Sequence, residues 1–227
     1  MRLTIIIPVL NEAEGLPNML GHLASLCGRG TEVIVVDGGS EDDSRQAALH
    51  AGAQVIRSER GRARQMNAGA AVARGDILLF LHADTALPFV AEPAIETAVR
   101  RGGGAGEHVW GRFDVRISGR SFMLPVIASL MNLRSRLSGI ATGDQAMFMT
   151  RRAFESVGGF PDQPLMEDVE LSRRLLALSR PICLGDRAVT SGRRLEAHGV
   201  WRTIWLMWRL RWAYWRGTDA AELARLY

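Results

Sequence analysis

The stretch Arg74–Thr85, RGDILLFLHADT, constrains this chain more than any other. Ile77–Leu81 is an unbroken apolar run between Gly75-Asp76 and a polar cluster. A run without alternation fits a strand buried on both faces, as at the centre of a parallel sheet. His82, Ala83, Asp84 and Thr85 follow directly at its C-terminal end. Open α/β sheets bind ligands outside the carboxyl ends of their strands. A carboxylate there can hold a divalent ion that in turn holds a diphosphate, and Mg²⁺ suits a site with one or two protein carboxylates. The competing reading is that His82 and Asp84 only cap the next helix.

The segments around this run alternate in type. Thr4–Pro8, Glu32–Val36 and Gln54–Ile56 read as strands, with helices at about residues 16–26, Ser44–Ala51 and Arg62–Arg74 between them. Gly28–Thr31 closes the first helix, and Phe89–Arg100 reads as a helix opened by Pro88. Such alternation predicts a mostly parallel, Rossmann-like sheet with helices on both faces. Val109–Ile117 and Gln145–Met149 read as further strands, Ser121–Leu137 and Glu167–Leu178 as helices. Composition changes sharply near Trp201, so the expected division is a catalytic domain over 1–200 and a helical tail over 201–227.

The 227 residues contain no uninterrupted apolar stretch of spanning length and no signal-peptide pattern. Cys27 and Cys183 form no CxxC pair, so a zinc site or disulfide framework is not expected and a cytoplasmic setting is the default. All 28 basic residues are arginine, which excludes Schiff-base and P-loop lysine chemistry. Nucleic acid is not an expected partner. The turn after the first strand, Pro8-Val9-Leu10-Asn11-Glu12, lacks the glycines of a dinucleotide fingerprint. Asp37, ending the second strand, is placed either to bond a ribose or base edge or simply to hold the turn before Gly38-Gly39.

Thr4–Glu12, Glu32–Ser44, Gly61–Gly69 (GRARQMNAG), Gly75–Thr85 and Gly158–Leu175 (GGFPDQPLMEDVELSRRL), in this order and spacing, resemble the family 2 inverting glycosyltransferases of the GT-A fold. The resemblance implies a UDP- or GDP-type nucleotide-sugar donor, held by Pro8, Leu10, Glu12, Asp37, Gly61, Arg64, Asn67, His82, Ala83 and Asp84. It also implies Mg²⁺ or Mn²⁺ at Asp84. The family's Asp-x-Asp metal motif reads His82-Ala83-Asp84 here, leaving His82 either a ligand or a partly buried histidine. By the same resemblance Asp168 is the general base, Glu167 its neighbour at the acceptor mouth, and Gly143, Asp144 and Gln145 line the acceptor side. Two acids in a first helical turn also simply complement the helix dipole. Arg193-Arg194 offer a bidentate phosphate clamp, assigned to Arg194, and His198 is either an extra metal ligand or a solvated residue. The Gln-x-x-Arg-Trp motif of processive members is missing.

Trp201, Trp205, Trp208, Trp212 and Trp215 form one helical stripe, flanked by Arg202, Arg209, Arg211 and Arg216. Three fates fit: internal packing, an anionic membrane surface reached from the inner face, or a homodimer contact. Rival functions are a membrane-attached donor-binding module without catalysis and a sugar nucleotidyltransferase. The latter wants a Gly-rich loop and a lysine that the chain lacks.

Overall fold

The computed structural model describes residues 1–26 and 30–226, apart from the side chains of Arg194 and His198. The expectations for Cys27, for the helix stop at Gly28, and for the Arg194 and His198 side chains lie outside that description. The first half runs β1 (Leu3–Val9), α1 (Leu16–Leu26), β2 (Glu32–Asp37), α2 (Ser44–His50), β3 (Gln54–Arg57), α3 (Arg62–Val72) and β4 (Ile77–Phe80). Then follow β5 (Thr85–Ala86), α4 (Ala91–Arg101), β6 (Trp110–Ser118), α5 (Leu124–Ser138), a 3₁₀ turn (Gly143–Gln145), β7 (Met147–Thr150) and α6 (Arg151–Ser156). The chain ends with α7 (Glu167–Leu176), β8 (Ile182–Ser191), α8 (Arg193–His198), α9 (Val200–Trp215) and α10 (Ala220–Ala224).

All eight strands join one sheet in the order β3-β2-β1-β4-β7-β6-β8-β5. Alternating side chains of β1 explain the three layers. Ile5 and Ile7 pack with α1 and α4, whereas Ile6 packs with α3, α6 and α7 on the other face. On that second face a Cβ at Gly69 would lie 2.4 Å from the Ile6 side chain, so the small residue lets α3 rest directly on the strand.

The parallel arrangement holds for β3-β2-β1-β4 and for β6 with β8. The sheet as a whole is mixed, because β7 runs antiparallel to β4 and β6, and β5 antiparallel to β8. These reversals position the site. Phe80 pairs with Met147, so the residues just before β7 arrive beside those just after β4. Thr85 pairs with Thr190, so the residues after β8 arrive beside Asp84. Thr190-Ser191 ends the ten-residue strand β8, and Arg151–Ser156 forms a short helix directly after β7.

Candidate active site

At the end of β4, Asp84 is exposed and followed by β5, while the next helix starts only at Ala91. It therefore does not cap a helix. Glu12, from the turn after β1, faces it. Burial raises the Glu12 carboxyl above its ordinary range and the Asp84 charge pushes the same way, against Arg193. Arg193, just beyond β8, lies close enough to Glu12 to oppose that shift. Among the described residues no group of three or more His, Cys, Asp or Glu could hold a metal ion unaided. A single open carboxylate fits Mg²⁺ or Mn²⁺ that completes its shell with phosphate oxygens and water, not a protein-only cage.

Hydrogen bonds join this strand end to the start of α7. Nδ1 of His82 donates to Oδ1 of Asp144 at 3.2 Å, since an ionised carboxylate only accepts. The His82 ring also lies against Gly143, where a Cβ would sit 2.2 Å from Nε2. The backbone N–H of Gly143 then donates to Oδ2 of Asp168 at 2.9 Å. Partial burial works against ionised Asp144, but the His82 hydrogen bond and the nearby charges of His82, Arg62 and Arg211 hold its carboxyl below the ordinary range. Gln145 is buried and closes a reciprocal capping box with Thr142, which shapes the turn carrying these contacts.

Glu167 lies beneath Asp168, 2 % exposed and paired with Arg62 at 3.2 Å. Burial raises its carboxyl and Asp168 adds to that, with Arg62 opposing. It therefore underpins the site from inside rather than standing at an open mouth.

The GRARQMNAG segment divides its labour differently from the sequence expectation. Arg64 faces outward, held by Asp162 at 2.8 Å and Glu59 at 2.6 Å, and Arg62 is the arginine that turns to the acidic cleft. Asn67 is occupied on both edges of its amide: Nδ2 donates to the carbonyl of Phe160 at 2.8 Å and Oδ1 accepts its N–H at 3.0 Å. It latches the Gly158–Pro164 loop. Gln65, unremarked in the sequence, donates to the carbonyls of Val9 and Val36 at 2.8 Å and ties the ends of β1 and β2 together. Only a side chain's burial between strand ends reveals such a role. Gly61, with φ 140°, caps α3 in a conformation open to glycine.

Asp37 is 2 % exposed and accepts the N–H of Ser40 at 3.0 Å, so it holds its turn. It also lines a concavity of about 340 Å³ with Arg45 and Arg57, between β2, α2 and β3. Pro8 and Leu10 are half-buried where β1 meets this turn, and Ala83 is buried between His82 and Asp84. Among the described residues three non-glycines have left-handed backbone, Asn11, Ala146 and Met166, and each borders a strand or helix end of the site. Such strain, about 1–3 kcal/mol per residue, persists where surrounding contacts over-determine the backbone.

The tail helix does not bury its tryptophans in this chain. All five are between 60 % and 80 % exposed. The opposite face of α9 holds the helix down through Leu210, packed with Leu165, Met166 and Leu223. The apolar residues that serve packing are leucines one face away, so the internal-packing reading of the stripe is overturned. Arg209 lies over Trp205 and Arg216 over Trp212, at 5.4 and 5.1 Å, whereas Arg211 turns inward toward Asp144 and Asp168. Among the described residues no helix is long and apolar enough to cross a membrane.

A sheet of this order with carboxylates gathered at its strand ends defines a GT-A-type α/β protein. The family model "Glycosyl transferase family 2" matches residues 4–157, and the chain belongs to that family. One curated relative is the undecaprenyl-phosphate 4-deoxy-4-formamido-L-arabinose transferase of Pseudomonas fluorescens, 33 % identical over 96 residues. That match covers 37 % of this chain and 28 % of the relative, so the chain spans under a third of its length. Among solved structures, S. aureus TarS 1-349 in complex with UDP-GlcNAc superposes with a TM-score of 0.68 at 17 % identity, covering 85 % of this chain and 59 % of the other. The mannosyltransferase PcManGT from Pyrobaculum calidifontis, in complex with GDP-Man and Mn²⁺, gives 0.66 at 23 % identity, covering 93 % and 61 %. At these identities the structural likeness establishes the shared fold.

Proposed function

We propose that this glycosyltransferase moves a sugar from a nucleoside diphosphate to an acceptor presented at an anionic membrane surface, with inversion at the anomeric carbon. The observation that carries the reading is the hydrogen-bonded chain from His82 through Asp144 and Gly143 to Asp168. These contacts tie Asp168 to the turn that meets the end of β4, which supports its assignment as the base.

The concavity beside Asp37 takes the nucleoside, and Glu12, Asp84 and Arg193 meet the diphosphate. Asp84 would hold Mg²⁺ or Mn²⁺, which would supply Lewis-acid neutralisation of charge on the leaving diphosphate. Asp168 takes the proton of an attacking hydroxyl, on the acceptor side shaped by Gly143 and Asp144. Glu167, held by Arg62, keeps its neighbour in place from below. His82 serves as the hydrogen-bond donor that orients Asp144. Residues from about 201 onward form the membrane-facing tail. Indole rings and guanidinium groups on one exposed face match a lipid–water interface on the cytoplasmic side. The undecaprenyl-phosphate specificity named for the curated relative supports a lipid-borne acceptor.

The test is thermal stabilisation by UDP and GDP, each with Mn²⁺ and with chelator, since a ligand of the native state raises its Tm. Metal-dependent stabilisation by one nucleotide is expected. Stabilisation by neither would reject the donor site. NMR of a released glycoside then reads the anomeric outcome.

A further inference from the structure

Two arginines take no part in the mechanism above. Arg134 on α5 and Arg211 on α9 are half-buried, and Nε and Nη2 of Arg134 and Nε of Arg211 are shut from solvent without a hydrogen-bond partner among the described residues. Neighbouring Arg112, fully buried, shows the ordinary solution: it donates to Asp114, to the Ser135 hydroxyl and to the Asn132 carbonyl. Burial pushes Arg134 down to about 10, the Arg211 charge adds to that, and Asp168 opposes. Burial likewise lowers Arg211, against the pull of Asp168 and Asp144. Each guanidinium thus feels the Asp168 charge, and among the described residues no carboxylate is hydrogen-bonded to either.

Buried charged donors left unpaired are costly, and paired planar forks match the oxygens of a phosphate. The donor diphosphate has its own cluster at the other strand ends: Glu12 is influenced by Asp84 and Arg193, and neither acid acts on Arg134 or Arg211. Both helices that carry these arginines also turn apolar side chains outward. Leu130, Leu133 and Leu137 of α5 are exposed, as is the tryptophan stripe of α9.

We propose that Arg134 and Arg211 together seat a phosphate group that the acceptor carries on an apolar chain, while a separate hydroxyl of the same acceptor is the group that Asp168 deprotonates. The proposal rests on the donor–acceptor reading above and assigns the acceptor subsite within it.

The experiment compares the parent protein with Arg134→Gln, Arg211→Gln and the double variant, using farnesyl phosphate in detergent, farnesol, and glycerol phosphate as probes. The parent should bind farnesyl phosphate at least tenfold more tightly than farnesol, and the double variant should lose that preference. Without ligand, the variants should melt no lower than the parent, because each substitution removes an unpaired buried charge. Arg211→Lys should recover part of the preference, since it restores charge but not the fork. Glycerol phosphate competing in the parent assigns the seat to phosphate alone; failure to compete, with the arginine dependence kept, assigns it to lipid-borne phosphate. Unchanged binding in the double variant overturns the proposal, as does a fall in metal-dependent nucleotide binding, which would place the arginines on the donor. Absence of nucleotide binding in the parent would instead reject the donor reading itself.

Discussion

Asp168 accepts the backbone N–H of Gly143 at 2.9 Å, although 25 positions separate the two in the chain. The contact leaves the carboxylate anchored through one oxygen to the turn that also carries Asp144. Its other oxygen accepts the N–H of Val169 at 2.7 Å. A carboxylate oriented this way does not need to search for its geometry, which suits the base role proposed for it.

Asp168→Asn keeps an oxygen to accept the Gly143 N–H but removes the proton acceptor. Turnover should fall by about 10²–10⁴, with nucleotide affinity near that of the parent. Steady-state kinetics alongside calorimetric titration of the nucleotide checks this, and a loss of nucleotide binding would move Asp168 out of the acceptor side.

Asp84→Ala should erase the difference between nucleotide binding with Mn²⁺ and with chelator. The side chain is exposed at the end of β4, and among the described residues its one hydrogen-bond donor is the adjacent Thr85 hydroxyl at 3.3 Å. Circular dichroism should therefore show an intact fold. Persistence of metal dependence in the variant would contradict the role of Asp84.

Glu167→Gln tests the buried acid by pH. Its folded-state carboxyl lies above the ordinary value of 4.5, because of burial and of Asp168. The folded protein thus holds this proton more tightly than the unfolded chain, and ionisation costs stability as pH rises through the folded value. The variant should gain in Tm over the parent at neutral pH, and the gain should shrink as pH falls toward 4. A variant that is less stable at neutral pH would show that the pairing with Arg62 outweighs burial.

Asn67→Ala removes both hydrogen bonds to Phe160. Chemical denaturation should report a loss of about 1–3 kcal/mol, the usual cost of leaving buried backbone groups unpaired. The Gly158–Pro164 loop should also become more accessible to protease.

Changing Trp205, Trp208 and Trp212 together to Ser should release the protein from anionic liposomes without lowering its Tm, because these rings are exposed. Binding by the parent should weaken with added salt as screening sets in. Sedimentation with vesicles is the measurement, and a dimer that dissociates in the triple variant instead would assign the stripe to self-association.

Much of the architecture was legible from residues 1–100, because a buried strand needs a continuous apolar run and an amphipathic helix needs a 3.6-residue period. Both patterns are local, so Ile77–Leu81, Glu32–Val36 and the α1 leucines declared themselves. The Trp stripe was equally plain in its spacing, yet its direction depended on which face of α9 met Leu165 and Met166. The pairing of Asp168 with Gly143, the inward turn of Arg62 rather than Arg64, and the arrival of Arg193 near Glu12 had no local signature. The antiparallel register of Phe80 with Met147 brings Gly143 to the end of β4, and that of Thr85 with Thr190 brings Arg193 there; Arg62 and Asp168 depend further on how α3 and α7 pack. Strand periodicity determines which residues face a layer, but the partner and direction of a strand are settled only when distant segments compete for the same sheet edge.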